Sequence, residues 1–492
     1  MIYAAGAALP MSPTVPRRRL HTAVLVVVAL FLAACAPDLG PAPRLQSVDA
    51  LADQRSFAAP AAAWPTDAWW KAYGDPQLDA LETEALAGAP DIRIAQARLR
   101  EAEASAQQAG ASLWPKLTGS AALQPTEQSI NETFPSAPSA FQKFLPLGWH
   151  NQAQFVADLD YQLDFLGKNR AALAAATSDA DAAAVDVAAA ELALSTSVAS
   201  AYADLVRLAA DRDTAQDAVR IRKETASLVG GRVKQGLENE GQLSQAEAEA
   251  ASAQTDADQI DGAIAVTRNQ IAALLGKGPD RGLNIATPAK PHVESLGLPP
   301  ALGVDLVGRR PDIVAARLRA ESAAARIDVA RADFYPNIDI TGYIGRQSLD
   351  VGDLLRHGSG IGQIGPALHL PIFNHGQIEG AYRGARADYD EAVATYDKTL
   401  TNALHEVADA VVDQKSLDWQ LRDSRAALTQ SENAYRIAKL RYQGGLSRYL
   451  DVLTAEDTLL AQRRAVADLE AQSFSQNVAL VKALGGGFVS NS

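Results

Sequence analysis

The chain is poor in the residues on which several protein classes depend. Cys35 is its only cysteine, which excludes internal disulfides and cysteine-built metal centres. Basic residues are outnumbered 45 to 58, for a net charge of −13. No basic patch interleaved with aromatics offsets that deficit, so nucleic acid is excluded as a partner. No apolar run is long enough to cross a bilayer as a helix; Ala23–Ala34 comes nearest and is too short. Proline is missing between Pro146 and Pro279 and again after Pro371, and glycine between Gly167 and Gly230. Without those breakers, apolar residues recurring three and four apart (Leu194, Val198, Ala201, Leu205, Leu208) predict a helix of roughly 60 residues, on the order of 90 Å long.

Catalytic signatures are missing too. Gly360, Gly362 and Gly365 have dinucleotide-loop spacing, but Pro366 and a strand-like run follow where a helix would have to begin. No phosphate-binding Walker loop and no Gly-x-Ser-x-Gly elbow occurs. His405-Glu406 opens like a zinc-protease motif, yet Asp409 stands where the second histidine belongs. The expectation is no enzyme, no catalytic residues, no metal and no cofactor.

What is present appears twice. Pro90-Asp91-Ile92 opens an Ala-rich amphipathic segment ending at Trp114-Pro115, and Pro311-Asp312-Ile313 opens another ending at Tyr335-Pro336, 221 positions later at both ends. A second register, offset by 209, joins Gly167 to Gly376, Arg232 to Arg441, Gly236-Leu237 to Gly445-Leu446, and Leu275-Gly276 to Leu484-Gly485. The 12-residue difference falls between Leu117 and Gly167. Each copy holds one very long helix, a glycine-marked tip (Gly230-Gly231 and Gly236; Gly444-Gly445) and a returning helix (Leu243–Leu275; Leu450–Leu484). The boundaries are 1–34 for a signal peptide, 35–77 for a lipid-anchored N-terminal tether and equatorial segment, 78–276 for the first repeat, 277–304 for a linker, 305–485 for the second repeat and 486–492 for a tail. Trp64, Trp69 and Trp70 read as a packing plug.

Four segments have a different period. In Gln154–Asp164 the odd positions (Phe155, Ala157, Leu159, Tyr161, Leu163) are apolar and the even ones mostly polar, which is a strand with one greasy face. Ile338–Thr341 begins another, and Leu117–Leu123 and Ile361–Leu370 are weaker candidates. An apolar outer and polar inner face suits a transmembrane barrel. Four strands cannot close one. Copies of the chain are needed: two would supply eight strands, three would supply twelve.

Arg17-Arg18-Arg19, the apolar run and Leu32-Ala33-Ala34-Cys35 form a secretory signal. The end of that signal resembles a bacterial lipobox, which makes Cys35 the lipidated new N-terminus and the attached lipid the only covalent group expected. Cleavage removes three arginines and no acids, taking the charge from −13 to −16.

The run Ala68-Trp69-Trp70-Lys71-Ala72-Tyr73-Gly74-Asp75-Pro76-Gln77-Leu78, the segment Leu163-Asp164-Phe165-Leu166-Gly167-Lys168, and Arg309-Arg310-Pro311-Asp312-Ile313 with Phe334-Tyr335-Pro336 and Pro371-Ile372-Phe373-Asn374 together resemble the outer membrane factors. These are TolC-like lipoprotein channels serving resistance-nodulation-division efflux pumps. The resemblance implies a mainly α fold with a small transmembrane β-barrel contribution. Duplicated long antiparallel helical hairpins and four β-strands per chain would build a homotrimer with a twelve-stranded barrel and a periplasmic α-barrel. It implies a passive conduit for small molecules in the outer membrane, partnered by a periplasmic adaptor and an inner-membrane pump. It places adaptor contact at the tips (Arg232, Gly236 and Leu237; Arg441, Gly445, Leu446 and Ser447) and an acidic ring at the periplasmic aperture on Asp451, with Gln242 standing at the equivalent place in the first copy. A type I protein-secretion channel shares this architecture. A pore-free periplasmic coiled-coil scaffold is the alternative of another class, and the Phe155–Leu163 strand speaks against it.

Overall fold

A computed structural model describes residues 36–48, 51, 55–57, 59–127, 148–288, 297–299 and 302–490; the signal segment and Cys35 lie outside the described residues. The chain forms two compact units. The first comprises Met1–Pro43, Ala106–Ala176 and Ser322–Asp390, and the second Arg44–Ser105, Thr177–Glu321 and Glu391–Ser492. Each unit therefore draws on both sequence repeats.

The helices are α1 (Pro76–Gly88), α2 (Pro90–Ala111), α3 (Lys168–Lys234), α4 (Glu240–Leu274), α5 (Asp280–Leu283), α6 (Leu302–Arg309), α7 (Pro311–Ala332), α8 (His375–Gln443) and α9 (Tyr449–Ala483). The strands are β1 (Lys116–Glu127), β2 (Trp149–Gln162), β3 (Asn337–Ser348) and β4 (Gly360–His369). α2 and α7 stand 221 positions apart at both ends, as do β1 and β3, while α4 and α9 stand 209 apart. α3 and α8 run 67 and 69 residues, each a contour of roughly 100 Å.

Local chemistry explains the boundaries. Asp75 caps α1, accepting from the amides of Gln77 (2.8 Å) and Leu78 (3.3 Å), and Pro76 occupies the first helical position. Asp164 performs the same task for α3, accepting from Asn169 and Arg170 at 3.0 Å each. That role explains Asp164 in its motif and ends β2 at Gln162, two residues short of the expected strand. Pro115 and Pro336 follow α2 and α7 and turn the chain into β1 and β3.

The core of the second unit gathers Trp69, Trp70 and Tyr73 with Leu78, Tyr202, Leu205, Ile271 and Phe474. Trp69 and Trp70 meet edge to face at 5.8 Å, and Tyr73 and Phe474 at 4.5 Å. The tryptophan pair is a packing plug, as expected. An 18-residue stretch of α3 has a mean hydropathy of 1.4, enough by length and composition to cross a membrane. Val198, Tyr202 and Leu205 of that helix are nevertheless buried in this core.

One expectation is corrected. Gly230 and Gly231 do not end the first long helix, which runs through them to Lys234. A Cβ at Gly230 would sit 3.4 Å from a Leu243 methyl, an ordinary contact, and one at Gly231 would meet nothing within 4 Å. The N-terminal segment packs within the second unit. Val48 is buried among Leu302, Leu306 and Leu400, the Gln46 amide donates to Asp397 (2.9 Å), and Ala61 bridges Leu298.

The Arg-Arg-Pro-Asp-Ile motif is a clamp. The buried Arg310 guanidinium makes a two-pronged contact with Asp312 (3.0 and 2.7 Å) and donates to Glu406 (2.6 Å) and the Ala483 carbonyl (3.0 Å). It thereby joins the start of α7 to α8 and the end of α9. Arg309 lies over the Trp64 ring at 5.0 Å. Glu406, suggestive of a metalloprotease in sequence, is thus an ion-pair partner.

Candidate functional site in the sheet and at the hairpin tips

In the first unit the strands form one antiparallel sheet in the order β1-β2-β3-β4, and among the described residues one edge of β1 and one edge of β4 have no strand partner. The register puts Leu117 opposite Leu159, Leu159 opposite Gly342, and Gly342 opposite Ile364. Side chains alternate along a strand, so the odd positions of β1 and β2 share a face with the even positions of β3 and β4. That face carries Leu117, Leu123, Trp149, Phe155, Ile344, Ile364 and Leu368, all exposed large apolar side chains. Ile344 and Ile364 are each 72% exposed. The opposite face carries Lys116, Thr118, Gln154, Asp158, Asp160, Asn337, Asp339 and Gln363. An apolar plate left bare while polar side chains crowd the other side inverts the arrangement of a sheet packed for water. It matches a sheet with hydrocarbon on one side and water on the other.

Near the helix-proximal strand ends Trp114, Phe165, Leu166, Ile372 and Phe373 are also exposed, a cluster that the sequence reading missed. Their signal was their place directly before and after strands, where aromatic residues mark a membrane–water boundary. An open cavity of about 490 Å³ lies there, lined by Asp164, Lys168, Asp333, Asn337, His369 and Gln377 among others. Lys168 pairs with Asp333 at 2.5 Å, and His369 Nδ1 lies 3.0 Å from Asp339. Among the described residues no His/Cys/Asp/Glu group could hold a metal ion.

In the second unit each long hairpin turns through the same device. Gly236 and Gly445 adopt left-handed backbone angles (φ +74° and +72°). At the first tip Leu237 donates to the Arg232 carbonyl (2.9 Å) and Gly236 to Val233 (2.9 Å); at the second Leu446 donates to Arg441 (2.8 Å) and Gly445 to Tyr442 (3.0 Å). These are paired Schellman closures, which favour glycine because a Cβ is strained there. They leave Leu237 and Leu446 exposed at the extremity (59% and 73%). Arg441 is exposed, Arg232 half-buried, and the half-buried Ser447 hydroxyl has no hydrogen-bond partner among the described residues.

The two tips are tied together. The Arg232 guanidinium sits 4.6 Å from the Tyr442 ring centre, donates to the Tyr442 carbonyl (3.2 Å) and pairs with Glu238 (3.5 Å). The Tyr442 hydroxyl also donates to Glu238, at 3.1 Å. Further along, Glu456 is wholly buried, forms an ion pair with Arg222 Nε at 3.0 Å and accepts a hydrogen bond from the Thr225 hydroxyl at 3.0 Å. Arg222 also reaches Asp457.

Asp451 and Gln242 occupy equivalent places and do equivalent work. The Asp451 carboxylate accepts from the Arg448 amide (3.0 Å) as α9 begins, and the Gln242 side chain accepts from the Asn239 amide (3.1 Å) as α4 begins. At the first tip Asn239 returns the favour, its side chain accepting from the Gln242 amide (3.0 Å). Arg448 has no acceptor to offer, so at the second tip the acid works alone. Asp451 remains exposed.

Comparison with known proteins agrees with this geometry. A sequence profile of outer membrane efflux proteins matches residues 81–277 and 302–486. The chain is 36% identical over 369 residues to the fusaric acid resistance protein FusA of Burkholderia cepacia, covering 74% of this chain and 68% of that one. It is 30% identical over 475 residues to the pyoverdine export outer membrane protein OpmQ of Pseudomonas aeruginosa, covering 95% and 97%. Among solved structures, the outer membrane protein VceC of Vibrio cholerae superimposes with a TM-score of 0.80 at 42% identity, covering 86% of this chain and all of that one. A duplicated helical chain with a bare apolar sheet face, matched along both repeats, belongs to the outer membrane efflux protein family.

Proposed function

We propose that three copies of this outer membrane efflux protein close a twelve-stranded barrel and form the passive outer conduit of a tripartite pump. A periplasmic adaptor would grip its helical tips and an inner-membrane partner would supply the energy. The observation that carries the reading is the sheet: exposed apolar side chains on one face, polar ones on the other, and two edges without a strand partner among the described residues. Hydrocarbon would cover the first face and an aqueous lumen the second. Unpaired edges inside a bilayer are untenable, so copies must supply the missing strands. A pore-free scaffold has no use for such a plate.

Acyl chains on Cys35 would anchor the mature N-terminus, each buried methylene contributing about 0.8 kcal/mol. Leu237 and Leu446, held out by the two glycine turns, are the apolar anchors offered to the adaptor, with Arg232, Gly236, Arg441, Gly445 and Ser447 around them. Asp451, repeated in three copies, would ring the periplasmic aperture with carboxylates and favour cations. FusA and OpmQ carry names tied to fusaric acid resistance and pyoverdine export; small toxic or chelating organic molecules are the cargo class that fits this chain.

Planar bilayer recording tests the reading. The purified lipoprotein should give discrete, cation-preferring conductance steps. A protein that stays on the surface and never perturbs the bilayer would overturn it.

A further inference from the structure

The apolar face of the sheet changes character toward the loop ends of its strands. Along β3 its positions read Ile338, Ile340, Gly342 and Ile344, and then Arg346 and Ser348. Phe155 stands opposite Arg346, and Asn151 and Glu127 lie on the same face near the same end. Among the described strand residues Arg346 is the only basic one on that face. It lies eight residues beyond Ile338, about 27 Å along the strand, or about 20 Å in height at a strand tilt of about 40°. The exposed Trp114, Phe165 and Phe373 sit at the opposite, helix-proximal ends. The apolar band, about 25 Å tall in outer-membrane barrels, therefore runs out near Arg346. An arginine facing hydrocarbon is costly at a bilayer's centre and nearly free at its surface. Arg346 thus marks a headgroup level.

Its charge has no carboxylate partner among the described residues. Nη1 donates to the carbonyls of Leu354 (3.5 Å) and Arg356 (3.4 Å). Nε and Nη2 have no acceptor among the described residues, and the side chain is exposed. The acids nearby are already engaged: Asp353 pairs with Arg356 (2.6 Å), and Asp350 accepts from the Gly352 amide (2.7 Å). The loop that carries them is held in place. Gln347 donates to the Ser359 carbonyl (2.8 Å), and the Ser359 hydroxyl donates to the Asp353 carbonyl (2.7 Å). Leu355, between the two carbonyls that Arg346 touches, is 81% exposed. A planar two-pronged donor with an apolar side chain beside it suits an acylated phosphate ester.

We propose that Arg346 and Leu355 bind a phosphorylated, acylated sugar lipid of the outer leaflet. Nε and Nη2 grip a phosphate, and Leu355 lies against an acyl chain. The site rests on the membrane placement proposed above, in which the loop ends of the strands, opposite the helix-proximal ends, face the exterior. A phosphate monoester on a sugar carries more negative charge than the diester of a phospholipid, which favours it at a guanidinium without a carboxylate. A lipid held this way binds the folded chain and not the unfolded one, so it stabilises the protein in the membrane.

Lipid retention by the purified full-length lipoprotein tests the site. Phosphatidylcholine nanodiscs carry one of three guests: a bisphosphorylated acylated disaccharide, the same glycolipid stripped of phosphate, or phosphatidylglycerol. Native mass spectrometry counts the guests that stay bound. The native protein should retain the phosphorylated glycolipid roughly tenfold over the stripped one, a comparison that needs no variant. Arg346→Gln should erase that ratio, and Arg346→Lys, a point charge without the fork, should keep only part of it. Equal retention of the two glycolipids, or an unchanged ratio in Arg346→Gln, overturns the site. Phosphatidylglycerol held as well as the phosphorylated glycolipid overturns the choice of a sugar lipid. Bilayer conductance of the same preparations separates the two readings. Its absence in the native protein overturns the conduit on which the site depends, whereas conductance with equal retention overturns the site alone.

Discussion

Glu82 lies on α1 with no exposed surface, and neither carboxyl oxygen has a hydrogen-bond partner among the described residues. Burial, reinforced by the neighbouring Asp79, pushes its pKa up from 4.5 to about 9. The group therefore holds its proton more tightly folded than unfolded. Its contribution is complete below about pH 4.5 and is lost as pH climbs through about 9. Each unit between the unfolded value and the working pH costs about 1.4 kcal/mol, so at pH 7 the loss relative to acid is roughly 3 kcal/mol. Glu82→Gln keeps the shape and a polar amide but cannot ionise. It should match the native protein near pH 4.5 and exceed its stability by roughly 3 kcal/mol at pH 7, with the gap still widening toward pH 9. Thermal unfolding of the detergent-solubilised protein across that range, at one fixed scan rate, reads the difference. Two profiles that run parallel would refute the reasoning, because the carboxyl would then titrate alike in both states.

The buried Arg222–Glu456 pair gives a second test: Arg222→Met strands the carboxylate and should cost about 3 kcal/mol, most of it recovered in Arg222→Met with Glu456→Leu, as a double-mutant unfolding cycle would reveal. Gly445→Ala should cost on the order of 1 kcal/mol through its left-handed backbone; equal unfolding midpoints would contradict that. The same glycine replaced in Gly445→Trp should abolish adaptor crosslinking while multimers persist, and intact crosslinking would remove the tip from the docking surface. Asp451→Asn retains the acceptor for the Arg448 amide but not the charge, so stability should hold while cation preference falls. Unchanged selectivity in bilayers would confine Asp451 to helix capping.

Much of this architecture was readable before any coordinates. The offsets of 221 and 209 locate α2 against α7 and α4 against α9, because helix ends are written in caps and prolines that duplicate with the sequence. The strands were legible from period alone at Phe155–Leu163, and faintly at Leu117–Leu123, where glycine and alanine dilute the alternation. Gly230-Gly231 misled because glycine in a helix costs only about 1 kcal/mol per residue, which a helix of 67 residues carries without ending. Other features needed the third dimension. The Arg310 clamp joins residues 96 and 173 positions apart, and the Arg232–Tyr442–Glu238 tie spans two repeats. No local pattern announces either. Nothing in the sequence around Glu82 sets it apart from the other acids of α1, and its burial comes from the packing.

The bare sheet face has a cost earlier in the molecule's life. A newly exported chain must cross a watery compartment carrying an oily surface that none of the described residues conceals, and two such chains that meet there can stick before reaching lipid. Overproduction should therefore end in clumps wherever Phe155, Ile344 and Ile364 stay uncovered before insertion.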